Sequence, residues 1–320
     1  GRYAGRGTTS GSFNVMLGDC AGFGIASATD TIAIGRKVFQ DNQFVGHSLT
    51  GSDNIGIGCL AGERMTSGAH NILMGNQSGR CQTTGSYNIA FGSGALVGSA
   101  TTTNNTGGCN IAFGNGAGTG MTSGNQNVLI GCKAGNALST GERNVYLGSA
   151  ALNTTLGNDN VAAGFGAANN NTGTYNVMFG RYAGCAQTSG SHNVMLGANV
   201  AKCHTTGDCN VFIGNEAGSN ASSSGGTGNN NIGIGCKALT ALTSGYDNTV
   251  LGQNAGQGIT SGVDNVLIGR RAGRTLSTTC RNVFIGMYSG DDATGVSNVA
   301  IGPLAGGNMS SGGCNIMIGM

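Results

Sequence analysis

This chain of 320 residues carries 63 glycines, one proline, no tryptophan and only 9% charged side chains, far from the roughly 25% charged residues of a globular domain. Its formal net charge of +2 leaves no basic stripe for nucleic acid and no polybasic patch for a membrane surface. Collagen is excluded because glycine does not recur every third residue, and disorder because the 38% hydrophobic residues stand in a regular register.

Along the chain one phrase recurs, Asn-[Val/Ile]-x-[aliphatic/Phe]-Gly. It begins at Asn14, Thr31, Asn54, Asn71, Asn88, Asn110, Asn127, Asn144 and Asn160, and continues at Asn176, Asn193, Asn210, Asn231, Asn248, Asn265, Asn282, Asn298 and Asn315. Most starts are 16 or 17 residues apart. A period this short leaves room only for one rung of a stack, so the spacing predicts an all-β parallel β-solenoid, a β-roll of about 18 rungs. At about 4.8 Å per rung the stack would be roughly 85 Å long. Residues 1–320 read as one continuous array, and because neither end looks like a capping rung, the array is expected to continue in a longer chain. No apolar run approaches the roughly 20 residues that cross a bilayer, and no signal peptide is visible.

Within a rung, with the Asn at offset 0, offset +1 is Val or Ile except at Thr249, and offset +3 is aliphatic or Phe. Alternation places +1 and +3 on one face of a strand, and the pattern predicts that this face lines the coil. Glycine holds +4 throughout, as a positive φ or a close backbone approach requires. Three residues later comes a small side chain, Ala in most rungs, which predicts a narrow interior. Ser or Thr at −4, Gly at −3 and Asn at 0 would stack into ladders that bond turn backbone.

Offset +2 is then expected to face outward, yet it is never charged. A strand apolar on both faces is covered on both, and a stripe this long exceeds what a soluble monomer exposes. The expected cover is the same stripe on other copies, giving a homotrimer about a common axis. The predicted inter-chain residues are Met16, Leu73, Leu129, Tyr146, Met178 and Met195. Phe212, Val250, Leu267, Phe284 and Met317 continue the set.

Three longer rungs place extra residues near 39–48, 97–106 and 219–227, expected as outward loops. The first holds Phe39, Phe44 and His47, a candidate binding loop. Eleven cysteines are an odd number; Cys185 and Cys203, on adjacent rungs, are candidates for a disulfide. Cys59, Cys132 and Cys236 share offset +5, and Cys109, Cys209 and Cys314 share offset −1. Cys203, His204 and Cys209 are too few for a zinc site without a paired Cys-x-x-Cys, so no metal ligand is assigned. Recurring paired carboxylates, a nucleophile elbow and a P-loop lysine are all missing. No catalytic residue, enzyme activity or cofactor is therefore expected.

The run Asn265-Val266-Leu267-Ile268-Gly269 and residues 124–148, GNQNVLIGCKAGNALSTGERNVYLG, resemble two related groups. One is the β-roll head of trimeric autotransporter adhesins; the other, closer in its Ala-Gly and Thr-Ser-Gly halves, is the repeat region of phage tail fibres and tail-fibre-domain surface proteins. The resemblance implies a homotrimer with the phrase strand near its axis, on a cell or virion surface outside the cell. The function expected is a stiff fibre shaft or head displaying an adhesive surface, with self as partner and a host receptor or glycan as target. Two alternatives are a monomeric ice-binding-like solenoid with a Thr/Ser ladder, and a laterally packed matrix or sheath filament.

Overall fold

The computed structural model describes residues 1–40, 49–98, 105–151, 157–220 and 225–320. They form three-residue strands joined by turns, with no helix among the described residues. The chain divides into two compact units, Gly1–Asp159 and Asn160–Met320. The first holds β1 (Val15–Leu17), β2 (Ile32–Ile34), β3 (Ile55–Ile57), β4 (Ile72–Met74), β5 (Ile89–Phe91), β6 (Ile111–Phe113), β7 (Val128–Ile130) and β8 (Val145–Leu147). The second holds β9 (Val161–Ala163), β10 (Val177–Phe179), β11 (Val194–Leu196), β12 (Val211–Ile213), β13 (Ile232–Ile234), β14 (Thr249–Leu251), β15 (Val266–Ile268), β16 (Val283–Ile285), β17 (Val299–Ile301) and β18 (Ile316–Ile318). Inside each unit every strand pairs in parallel with the next, offset on equal offset, as Leu129 with Tyr146 and Val250 with Leu267. Each unit is a parallel β-solenoid, as the repeat predicts.

The rungs are tied at three places. The Asn71 backbone N–H and side-chain amide both donate to Asn54 Oδ1 at 3.0 Å, and the same amide donates to the Gly85 carbonyl at 3.0 Å. This bonding recurs along the column, for example at Asn110, Asn127 and Asn193. The phrase asparagines are almost all buried, so the ladder lies inside the coil. At the corners, backbone groups bond to neighbouring rungs: Gly62 N–H to Ser78 O at 2.9 Å and Gly75 N–H to Ile57 O at 2.8 Å. Outside, Thr66 and Thr122 hydroxyls donate to the Thr83 and Ser139 carbonyls at 3.1 Å. Buried backbone groups need such partners, and here adjoining rungs supply them.

Glycine at +4 satisfies both conditions that the sequence suggested. Gly75 sits at φ +136°, and a Cβ there would lie 2.4 Å from the Gly92 carbonyl oxygen of the next rung.

The coil interior reverses one expectation. Leu73, Leu129, Tyr146, Met178, Met195, Phe212, Val250, Leu267 and Phe284, predicted as inter-chain contacts, are 0% exposed within the single chain, and Met16 and Met317 are half-buried. Offset +2 is the core, and +1 and +3 face outward. The reason is the Asn ladder. Its amides must reach the Gly carbonyls inside the coil, and alternation then carries +2 to the same side as offset 0. The small +7 residues, such as Ala61, Ala134 and Ala272, are also fully buried. At +11 a third column joins them, including Met65, Met121, Leu138, Leu242 and Leu276.

Packing inside is complementary from rung to rung. Where +2 is large, +8 is glycine in most rungs (Tyr146 with Leu152 and Met195 with Ala201 differ): a Cβ on Gly79 would meet Leu73 Cδ2 at 2.7 Å, and one on Gly218 would meet the Phe212 ring at 2.7 Å. Where +2 is small, the space is filled either by +8 of the same rung or, at Gly62, Gly118 and Gly306, by side chains of adjoining rungs such as Phe39, Leu96 and Met317. Phe39 follows Ala33 and its ring lies 2.7 Å from where Gly56 would place a Cβ; Leu96 follows Ala90, and Leu239 follows Gly233. Interiors tolerate neither voids nor excess volume, so the two offsets trade size. Phe39 is thus a buried core residue, not part of an exposed binding loop. Phe44 and His47 lie outside the described residues, as do 41–48, 99–104 and 221–224 of the three longer rungs. At the edges of those stretches, Leu49 bridges Ile25 and Gly226 bridges His204, both in parallel.

Polar side chains also enter the +11 column, and His204 is the clearest. It is 0% exposed, with Nε2 3.2 Å from both the Gly228 carbonyl oxygen and Asn210 Nδ2, and its ring is edge-on to Phe212. Nδ1 has no hydrogen-bond partner. Burial pushes the imidazole down from 6.5 to about 4, against smaller upward pulls from the Gly228 carbonyl and Asp208.

Two outcomes are expected. Phe39→Ala leaves a cavity that rungs above and below cannot close, lowering stability by about 3–5 kcal/mol in denaturant titration; Gly75→Ala, strained and clashing, costs about 3 kcal/mol or more. The second concerns acid. His204 is neutral when folded but protonates near 6.5 when unfolded, so its contribution is complete above pH 6.5 and is lost as pH falls to about 4. The loss is on the order of 3 kcal/mol, and His204→Leu, which suits an apolar column, should abolish that acid step in melting curves.

Candidate functional surface

Because +2 turns inward, every strand except β14, which has Thr249 at +1, presents two outward apolar side chains rather than one. Stacked in register, they form a strip of mostly Val, Ile, Leu and Phe, with Met74, Ala163 and Thr249, and no charged residue. In the first unit Ile111 and Phe113 are 38% and 50% exposed, and the Phe91 and Phe113 rings stack at 4.9 Å. In the second, Phe179 and Ile268 are 41% and 38% exposed. Inner rungs are half-covered only by their equivalents above and below. With three residues per strand and about 4.8 Å per rung, the strip covers about 400 Å² over eight rungs and about 500 Å² over ten. The largest apolar patches on monomers are about this size and are often functional.

Charged and aromatic corners border the strip. Beyond the +4 glycine, at +5 and +6, guanidinium groups lie over tyrosine rings: Arg2 on Tyr3 and Arg181 on Tyr182, each at 4.8 Å. These two contacts come from the same local sequence, Gly-Arg-Tyr-Ala-Gly, at residues 1–5 and 180–184. Arg270 and Arg271 flank Tyr288 at 4.9 and 5.0 Å. On the opposite border, offset −1, His70 stacks on Tyr87 at 4.8 Å and Tyr175 on His192 at 5.0 Å. Arg143 there is held between Glu142 at 2.8 Å and Asp159 at 2.7 Å. That bidentate contact holds the Asp159 carboxyl below its ordinary range.

The −1 residues all adopt left-handed backbone, as His70 at φ 58° and Tyr87 at φ 60°. No Val, Ile or Thr occurs at −1, since β-branched side chains do not tolerate that conformation. This signal was present in the sequence.

All eleven cysteines are thiols. Cys185 Sγ donates to the Lys202 carbonyl at 3.6 Å rather than bonding to Cys203, so the expected disulfide is not formed. Adjacent rungs bring both near, and burial raises the Cys185 thiol. Cys203, His204 and Cys209 do not converge: His204 points into the core while Cys209 is exposed. No group of three metal-ligating side chains occurs among the described residues. No helix there is long and apolar enough to cross a membrane. The chain matches no protein-family model, and no curated protein is significantly similar to it.

Proposed function

We propose that this chain is a structural, non-catalytic repeat segment of a fibre, in which copies associate along the outward +1/+3 strip. The observation that carries the reading is that strip: two apolar side chains on nearly every rung, uninterrupted by charge, facing away from a core that is already complete. Water-exposed apolar surface of this continuity is costly, and an identical strip on another copy covers it in register. The proposed assembly is a homotrimer about a common axis, now with +1 and +3 toward the axis in place of +2. Its mechanism is geometric. Inter-rung hydrogen bonds stiffen each stack, and several copies multiply weak surface contacts into avidity. A cell or virion surface outside the cell, and a receptor or glycan as target, are the setting that the resemblance to tail-fibre and adhesin repeats supports.

An ice-binding role is less well supported, because the Thr66, Thr122 and Thr243 hydroxyls are committed to carbonyls of the next rung rather than free to order water. A laterally packed matrix filament would use the same strip and differs only in whether association closes.

The test is the native mass in solution of the wild type, Ile130→Asp and Leu129→Asp, with circular dichroism of each. Wild type is expected as a closed oligomer of three copies. Ile130→Asp, on the strip, should release folded monomer, whereas Leu129→Asp, in the core, should lose the solenoid signal itself. A wild-type monomer at all concentrations overturns the reading, and open-ended growth replaces it with the filament.

A further inference from the structure

The charges bordering the apolar strip are not mixed; they are sorted by edge. Beyond the strand, at +5 and +6, the first unit carries Arg2, Arg36, Lys37 and Lys133 against one acid, Asp19. Before the strand, at −2 and −1, the same unit carries Asp30, Asp53, Glu142 and Asp159 against one base, Arg143, which its two acidic neighbours already neutralise. The second unit repeats the pattern independently. Arg181, Lys237, Arg270 and Arg271 oppose Glu216 on one edge, and Asp208, Asp247 and Asp264 oppose Arg281 on the other. In a chain with only 9% charged residues, most of the charge thus lies along two lines, one of each sign, with the apolar strip between.

From this sorting, and resting on self-association through the strip, we infer that the partner surface is a second copy of this chain running in the same direction, its acidic edge against the basic edge of its neighbour. The argument is one of symmetry. Turning a copy about an axis parallel to the stack brings the −1 edge of one chain beside the +5/+6 edge of the next, whatever the number of copies. Turning it about an axis across the stack sets acid on acid and base on base. Interfaces use such complementarity to choose orientation and to speed encounter more than to add affinity, while the apolar strip supplies the attraction. Tyrosine rings under Arg2, Arg181 and Arg270 hold those guanidiniums on their edge.

The cysteine columns lie on the same two edges and report the arrangement. Cys109 and Cys209 stand at −1, before β6 and β12; Cys132 and Cys236 stand at +5, after β7 and β13. All four are exposed. Within each unit the pair is one rung apart and separated by the width of the strip, so a link between its members must join two chains. Parallel copies in register put Cys109 and the neighbour's Cys132 on facing edges, offset along the stack by only one rung, roughly 4.8 Å.

The experiment combines charge reversal with cross-linking on the whole chain. Lys237→Glu with Arg270→Glu, reversing one edge, should weaken association at least tenfold at about 0.05 M salt and much less at about 0.5 M, where screening is short-ranged. Adding Asp247→Lys and Asp264→Lys, which exchanges the two edges, should restore the wild-type oligomer. In the wild type, a short bismaleimide applied to mixed isotope-labelled and unlabelled copies should join Cys109 to Cys132 and Cys209 to Cys236 between chains. Links between like edges, or an assembled wild type with no cross-edge links and no response to the reversals, overturn this inference while leaving self-association standing. A wild type that never assembles overturns the proposed function itself.

Discussion

Close stacking of backbone on backbone is the constraint on which the rest of this structure depends. Each rung contributes only a three-residue strand, far too little to persist alone, and becomes stable by bonding to the rungs beside it. The buried Asn ladder does this at the strand: one side-chain oxygen accepts two hydrogen bonds from the next rung, and the amide reaches that rung's glycine carbonyl. Carbonyls approach so closely at the +4 and −3 columns that a methyl group would overlap them. Glycine is abundant here because the repeat distance of the stack is shorter than side chains at those corners allow.

That same closeness leaves a thin interior, and thinness explains the packing rule. With offset 0 taken mostly by asparagine and +7 mostly by alanine, the volume that remains is shared among +2, +8 and +11 of one rung and the rungs beside it. Phe39 over Gly56 and Leu73 over Gly79 are two solutions to one problem of constant volume. Such a core can change residue by residue so long as adjacent rungs compensate. Polar intruders at +11 are tolerated less evenly: Gln82 amide nitrogen still reaches the Leu96 carbonyl, whereas neither polar end of Gln187 has a partner. Gln187 and His204 are two such places where a buried polar atom lacks a partner.

A solenoid also repeats whatever it exposes. One outward isoleucine is unremarkable on a protein surface; an aliphatic or aromatic side chain at nearly every rung, with charge of mostly one sign along each border, becomes an extended surface with direction. In the proposed assembly each contact on it would be weak, and the effect would come from their being collinear. The proposed function rests on periodicity rather than on a constellation of special residues; among the described residues no group of three metal-ligating side chains comes together.

The sequence by itself determined the period, the parallel stack, the close approach at +4 and the small +7 residues, because each follows from a single column read down the chain. Alternation also established that +1 and +3 share a face opposite to +2. It could not say which face was inside, since both are apolar and hydrophobicity alone does not separate them. Only the tertiary structure decided that, through the Asn ladder: an amide ladder bonded to interior carbonyls places offset 0 inward, and +2 must follow it. The size exchange between +2 and +8 carried the same information, but only as a relation between two columns, and Phe39 read alone looked like a loop aromatic. The corner at −1, left-handed at His70 and Tyr87, likewise shows in sequence only as the lack of β-branched residues. What one column specifies was legible in the chain; what depends on how two columns fill one volume required the fold.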